Sequence, residues 1–301
     1  MSPLTTRSNK LKEIIPTYQL EEINDQNQSL NDAFFTDEKL FALANKLNKP
    51  YRSNYYGLGI CVSGTATLVS NLDHYLVQPN SIVAMSPQVI KQWKNVSEDF
   101  ETLTLFFTKA FFSKIFAHQN YLDQFQFFDQ NAQHVNQFSA DDTTTVLQLF
   151  QTIKSHINRS HAYQNEILAS YFNILLLEYQ ILFEQLHFKN SYKKNRSQQL
   201  VETFKNLLNS HFQQQRSVQF YADKLFITPK YLTEILKQET GKTASEWINE
   251  LLILEAKVLL SNPQLQILQV AEALHFPDAS TFGKFFKNLS GTSPLQYRKT
   301  L

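Results

Sequence analysis

The chain has 301 residues, 43% of them hydrophobic and 18% charged, with a formal net charge of +1 and a single cysteine, Cys61. That length and apolar content fit about two packed domains. A lone cysteine excludes an internal disulfide framework and a CxxC-type zinc site, and it fits a reducing compartment, the cytoplasm by default.

The opening MSPLTTRSNKLKEIIP lacks an apolar run of signal-peptide length, and no stretch reads as the roughly 20 apolar residues of a membrane span, so neither export nor insertion is expected. Residues 1 to about 50 read as a polar tail with a helix around Asp37 to Leu47. From Tyr55 to Phe107 the texture changes to short β-branched and aromatic runs, "YGLGICVSGTATLVS", "HYLVQPNSIVAMSP" and "DFETLTLFF", broken at Ser63-Gly64 and Pro79-Asn80. Such runs predict successive antiparallel hairpins closing into a small barrel or sandwich.

After Ala110 the apolar period becomes helical. "FFSKIF" opens a short helix, and longer ones are predicted over Asp141–Asn158 and Tyr163–Leu186. The second carries Ile174, Leu176, Leu177 and Ile181 beside its main apolar stripe, so it needs cover on two faces. A partner chain would supply that cover, making 141–188 a homodimer surface; a fully internal position is the other way to supply it. "KNSYKKNRSQQ" is polar and basic and reads as a connection, dividing the chain into 1–188, a linker 189–197, and 198–301. Charge divides at the same place: residues 191–301 hold 14 Lys and Arg against 9 Asp and Glu, and residues 1–190 hold 14 against 18. The basic part is the one suited to a polyanion.

Beyond the linker the chain repeats itself. Ala222 and Leu225 correspond to Ala271 and Leu274 at an offset of 49, and Leu232, Leu236, Lys237, Gly241 and Trp247 to Phe282, Phe286, Lys287, Gly291 and Tyr297 at an offset of 50. One helix-turn-helix unit therefore occurs twice, with one extra residue at the second corner. Ser217 caps a short helix; Thr228 with Pro229, and later Asp278, open the second helix of each unit, and Gly241 and Gly291 end them. Tyr231, Leu232, Ile235 and Leu236 are expected inside the first unit, and Phe282, Phe285, Phe286 and Leu289 inside the second. Between the units, Thr243-Ala244-Ser245-Glu246 is a capping box opening a long apolar helix.

On "YADKLFITPKYLTEILKQETG", "EAKVLL" and "VAEALHFPDASTFGKFFKNLSGTSPLQYR", the segment from about Gln198 to Arg298 resembles the C-terminal domain of the AraC/XylS family of transcription regulators. The chain before it is similar in layout, and through "VQPNSIVAMSP", to that family's cupin-like effector and dimerisation domain. The implied fold is α+β: an N-terminal cupin-like antiparallel β-barrel followed by helices, then an all-α domain with two helix-turn-helix units joined by a long helix. The implied function is sequence-specific binding of double-stranded DNA, with two recognition helices in successive major grooves roughly 34 Å apart, and RNA polymerase as a further partner. Matched through the motif, the base-contact positions are Lys230, Thr233 and Glu234 in the first unit and Ala279, Ser280 and Lys284 in the second. Lys237, Thr281 and Lys287 lie one turn away and suit phosphates. Three positions depart from the pattern: His275 stands for the corner glycine, Leu252 for an arginine, and the outer positions of the last recognition helix are small.

A β-barrel ahead of such a module points to a small-molecule effector held in its interior. Tyr55, Tyr56, Lys91 and Trp93 lie near strand ends, and a cationic Lys91 would favour a carboxylate, although a surface position is the more ordinary one for lysine. A metal-dependent cupin enzyme with a helical tail is the reading from another class. It would need several histidines on neighbouring strands, and Tyr55 to Phe107 holds only His74, so no metal, cofactor or catalytic residue is assigned. A regulator without a ligand is the third reading.

Overall fold

The computed structural model describes residues 48–87, 89–111, 121–157, 159, 162–191 and 195–300, with backbone alone at 189–191 and in three short strands at 17–18, 29–30 and 33–36. The expected helix around Asp37 to Leu47 and most of "FFSKIF" lie outside those residues. The chain divides into two compact units, 17–193 and 194–301.

In the first unit, eleven strands are described: β1 (Thr17–Tyr18), β2 (Ser29–Leu30), β3 (Ala33–Thr36), β4 (Arg52–Ser53), β5 (Tyr56–Ser63), β6 (Ala66–Ser70), β7 (Asp73–Val77), β8 (Ser81–Met85), β9 (Lys91–Lys94), β10 (Glu101–Phe107) and β11 (Val135–Gln137). They form a six-stranded sheet in the order β11-β8-β5-β10-β3-β2, a three-stranded sheet β7-β6-β9, and a parallel pair β1-β4. Antiparallel hairpins are thus present where the sequence places them. Among the described residues, however, the hydrogen-bonded ladder does not close into one ring. Residues 29–30 and 33–36, read from sequence as part of a tail, extend the larger sheet through β3 on β10.

The turns follow local chemistry. Gly64 between β5 and β6 has φ +70, and a Cβ there would lie 2.5 Å from the Phe100 Cα, so both conformation and space require glycine. Asn71 and Asn80 take positive φ in the next two turns, as asparagine tolerates.

Period-2 alternation separates two cores. Tyr56, Leu58, Ile60, Ile82, Ala84, Leu105 and Phe107 face one way and pack on helices α1 (Ala140–Ile157) and α2 (Gln164–Ser191), through Phe150, Ile153, Phe172, Leu175 and Tyr179. Cys61, Val83 and Met85 face the other way and meet Leu68, Val77 and Trp93 of the smaller sheet. Helix α2 is long and apolar enough to cross a membrane by length and composition, which the sequence reading did not register. Here one of its faces is core of a folded unit: Leu168, Phe172, Leu175, Tyr179 and Phe183 are all buried.

The second unit is helical: α3 (Arg196–His211), α4 (Val218–Lys224), α5 (Pro229–Thr240), α6 (Ala244–Leu260), α7 (Ile267–Ala273), α8 (Ala279–Ser290) and α9 (Pro294–Lys299). Helix α2 runs to Ser191 and α3 opens at Arg196, capped by Asn195 in a capping box with Gln198, so the expected linker is helical at both ends.

Candidate nucleic-acid interface and a buried lysine site

Each helix-turn-helix unit is fixed by short-range chemistry. The Thr228 hydroxyl accepts from Tyr231 N–H, Pro229 occupies the first helical turn of α5, and Gly241 closes the helix at φ 77. In the second unit Asp278 accepts from Thr281 N–H to open α8, and Gly291 closes it at φ 79. The corners match as well. Phe226 and His275 both have φ 55, and the following amide donates back into the first helix, Ile227 N–H to Ala222 O at 3.0 Å and Phe276 N–H to Ala271 O at 2.8 Å. Neither residue tolerates a left-handed backbone as glycine does, so each corner carries some local strain held by its surroundings. Helix α6 joins the units, opened by the Thr243–Glu246 capping box and buried along Trp247, Ile248, Leu251, Leu252, Ala256 and Leu259.

Lys230 is 87% exposed and makes a 3.9 Å pair with Glu234 one turn on, also exposed. A surface pair of this kind is worth a few tenths of a kcal/mol and yields readily to another partner. Ser280, Lys284, Lys237, Thr281 and Lys287 are exposed, and Thr233 and Ala279 are half-buried. Thr281 spends its hydroxyl proton on Asp278 Oδ2 at 3.1 Å. In this conformation it offers a phosphate no O–H donor. Those hydrogen bonds, with Lys284 nearby, hold the Asp278 carboxyl below its ordinary value.

Two expected inward residues are not inside. Tyr231 is 45% exposed and Leu289 is exposed, while Phe285 is half-buried. Both errors fall at the edge of an apolar stripe, where a helix only 12 residues long has too few neighbours to cover a wide face.

The sequence reading missed four cationic contacts inside this unit. Arg216 reaches the second corner, where it donates to the Leu274 carbonyl. Arg298 Nε donates to Leu260 O at 3.2 Å, capping α6. Lys205 and Lys242 lie 4.7 and 5.3 Å from the Trp247 ring centroid. No periodic signal marks any of them: Arg216 and Lys242 lie between helices, and Lys205 and Arg298 are polar positions of α3 and α9.

In the β unit, Lys91 overturns the expectation of a surface lysine: it is 4% exposed. Its Nζ donates to Ser53 Oγ at 2.6 Å and lies 5.4 and 5.9 Å from the Tyr55 and Tyr51 ring centroids. Among the described residues no carboxylate is paired with it. Burial, and secondarily Arg52 nearby, lower its pKa from 10.5 to about 7.

Across β6, Ser70 stands opposite Lys91 and bonds His134 Nδ1 at 2.7 Å. His134 Nε2 lies 3.2 Å from Asp129 O. A carbonyl can only accept, so Nε2 carries the proton and Nδ1 accepts from Ser70. Burial brings His134 down to about 4.

Tyr55 and Trp93 share this buried region, Trp93 on the same strand face as Lys91. Tyr56 does not: it is stacked on Phe107 at 5.7 Å in the helix-facing core. Strand alternation sends neighbours to opposite faces, which removes Tyr56 from the candidate pocket. Ser53, Tyr51, Ser70 and His134 take its place around Lys91.

A family model described as "Helix-turn-helix domain" matches residues 221–300. The Msm operon regulatory protein of Streptococcus mutans is 31% identical over 101 residues, 34% of this chain and 36% of that protein, so the chain spans about a third of that relative's length. The arabinose operon regulatory protein of Salmonella typhimurium is 23% identical over 257 residues, 84% of this chain and 86% of that one. Among solved structures, the C-terminal domain of AraT, a response regulator from Geobacillus stearothermophilus, is 29% identical over 36% of this chain and 89% of its own, with a TM-score of 0.33.

Proposed function

We propose that the chain is a transcription regulator of the AraC/XylS family, through its C-terminal helix-turn-helix domain, and that it binds an operator with α5 and α8 in successive major grooves, under control of the N-terminal part. Residues 1–188 act as the sensing and dimerising part, 189–197 as the connection and 198–301 as the DNA-binding part, working in the cytoplasm with RNA polymerase. The observation that carries this reading is the duplicated unit, in which two helices are opened by a side-chain cap, closed by a left-handed glycine and carried on one buried helix, each with its outer face free of the core.

Lys230 and Lys284 supply the donors suited to guanine O6 and N7, and Glu234 an acceptor for a cytosine amino group. Lys230→Ala and Lys284→Ala are each expected to weaken binding to the preferred site by roughly 1–3 kcal/mol and to relax base preference in one element only. Titration of full-length variants against that site and against its single-base changes measures this. Equal affinity and unchanged preference would remove the residue from base readout.

The dimer reading rests on the outer face of α2. Ile174, Leu177 and Ile181 are exposed there, three and four residues apart, with Phe188 exposed seven residues further on, as in a two-helix seam. A second copy presents the same stripe and satisfies both at once. Leu177→Glu is expected to convert a dimer to a monomer in sedimentation equilibrium without unfolding the chain. A monomeric wild type would reject the seam.

The effector reading rests on Lys91. A buried ammonium with one hydroxyl acceptor is under-compensated, and a ligand carboxylate would supply the missing charge, so the class favoured is a small organic anion.

A further inference from the structure

Arg216 lies in the turn between α3 and α4, ahead of the first helix-turn-helix unit, yet its side chain ends at the corner of the second. The guanidinium donates to the Leu274 carbonyl, which belongs to the C-cap residue of α7. Its carbon sits 3.9 Å from the centroid of the Phe276 ring. Phe276 in turn packs on Phe282 and Phe285 of α8 at 5.4 and 5.0 Å. A continuous series of contacts therefore runs from the segment entering the first unit to the recognition helix of the second.

Helix α6 packs against α7, α8 and α9, and Arg298 of α9 bonds its Leu260 carbonyl, so the second unit is held along that helix. Arg216 adds a contact of another kind, from the segment ahead of the first unit to the corner of the second. Residue 275 already holds a positive φ, and a guanidinium that both bonds the preceding carbonyl and covers the following ring locks the corner from outside. Arginine suits this better than lysine, because one planar group can hydrogen-bond along its edge and stack on its face.

We propose that Arg216 is a positioning residue that fixes the second recognition helix relative to the first and thereby sets the spacing between DNA elements that the chain accepts. It touches no base itself. This rests on the reading of α5 and α8 as DNA-binding helices.

The test uses the full-length chain and duplexes carrying its selected site, with the spacer between the two elements lengthened or shortened by one and two base pairs. The wild type is expected to show a sharp optimum, losing about tenfold in affinity for one base pair of change. In Arg216→Ala that contrast falls to about threefold, with base preference within each element retained. Arg216→Lys, which keeps charge and a donor but not the stacked plane, falls between. Phe276→Leu, which keeps the corner apolar but removes the ring, flattens the profile like Arg216→Ala and guards against an alanine variant that fails to fold.

A uniform loss at every spacer, with the salt slope reduced by about one, would make Arg216 a phosphate contact and overturn the proposal. An unchanged profile in folded Arg216→Ala would overturn it too. A wild type that selects no site at all would instead sink the DNA-binding reading on which it rests.

Discussion

Phe282→Ala is expected to destabilise residues 194–301 by about 3–5 kcal/mol and to abolish binding to any site that needs α8. Phe282 is fully buried, and its ring lies 5.4 Å from Phe276 and 5.8 Å from Phe286, which in turn meets Tyr297 at 5.5 Å. This aromatic column joins corner, recognition helix and α9, so a cavity at its centre releases all three. A small helical domain holds only about 5–15 kcal/mol in total, and a loss of this size uses up much of that margin. Leu289→Ala, on the same helix but exposed, should cost under about 0.5 kcal/mol. Denaturant unfolding of the two variants separates these cases. Similar midpoints would mean that α8 is not anchored through Phe282.

The second large effect is at Lys91. Its pKa is about 7 in the folded chain and 10.5 ordinarily. Between those values the unfolded chain holds a proton that the folded chain does not. Stability therefore rises with pH across that window and is lowest below pH 7, where the folded chain must bury the charge. His134, held at about 4 against 6.5, adds a second loss as pH falls from 6.5 to 4.

Lys91→Met removes the upper component only. It is expected to stabilise the β unit at pH 7, by on the order of a few kcal/mol, and to flatten the melting temperature between pH 7 and 10 while leaving the acid limb in place. A carboxylate effector opposes the same penalty. Across a panel of carboxylic acids and their amides, the acids alone should raise the wild-type melting temperature, most strongly near and below pH 7, and should not do so in Lys91→Met. A Lys91→Met chain less stable than wild type at pH 7, with the upper slope intact, would show that the ammonium is already compensated.

The helical half was legible in sequence because its signals are local. Thr228, Asp278, Gly241 and Gly291 announce helix ends through hydrogen bonds made within four residues, and the repeat announces the architecture. What failed there depends on tertiary contacts. The exposure of Tyr231 is decided by how much of a short stripe the neighbouring helices reach, and the reach of Arg216 depends on a corner 58 residues away. In the β half the hairpins were visible, but β3 and β11 were not, being short strands, β11 at an edge and β3 next to one, recruited by pairing rather than by pattern.

Lys91 had a readable signal that composition overrode. In Lys91-Gln92-Trp93-Lys94 the alternation puts Lys91 on the face of Trp93, and a buried tryptophan carries its strand neighbour inward. The same alternation separates Tyr55 from Tyr56.

The most direct test of the central claim is selection of duplex DNA by the full-length chain from a random library, followed by titration of the winning site across a salt series. The predicted result is a site with two elements about one helical turn apart, each weakened by base changes within it, with affinity falling linearly in the logarithm of salt concentration. Recovery of no common sequence, with the same weak salt-sensitive affinity for every duplex, would contradict it.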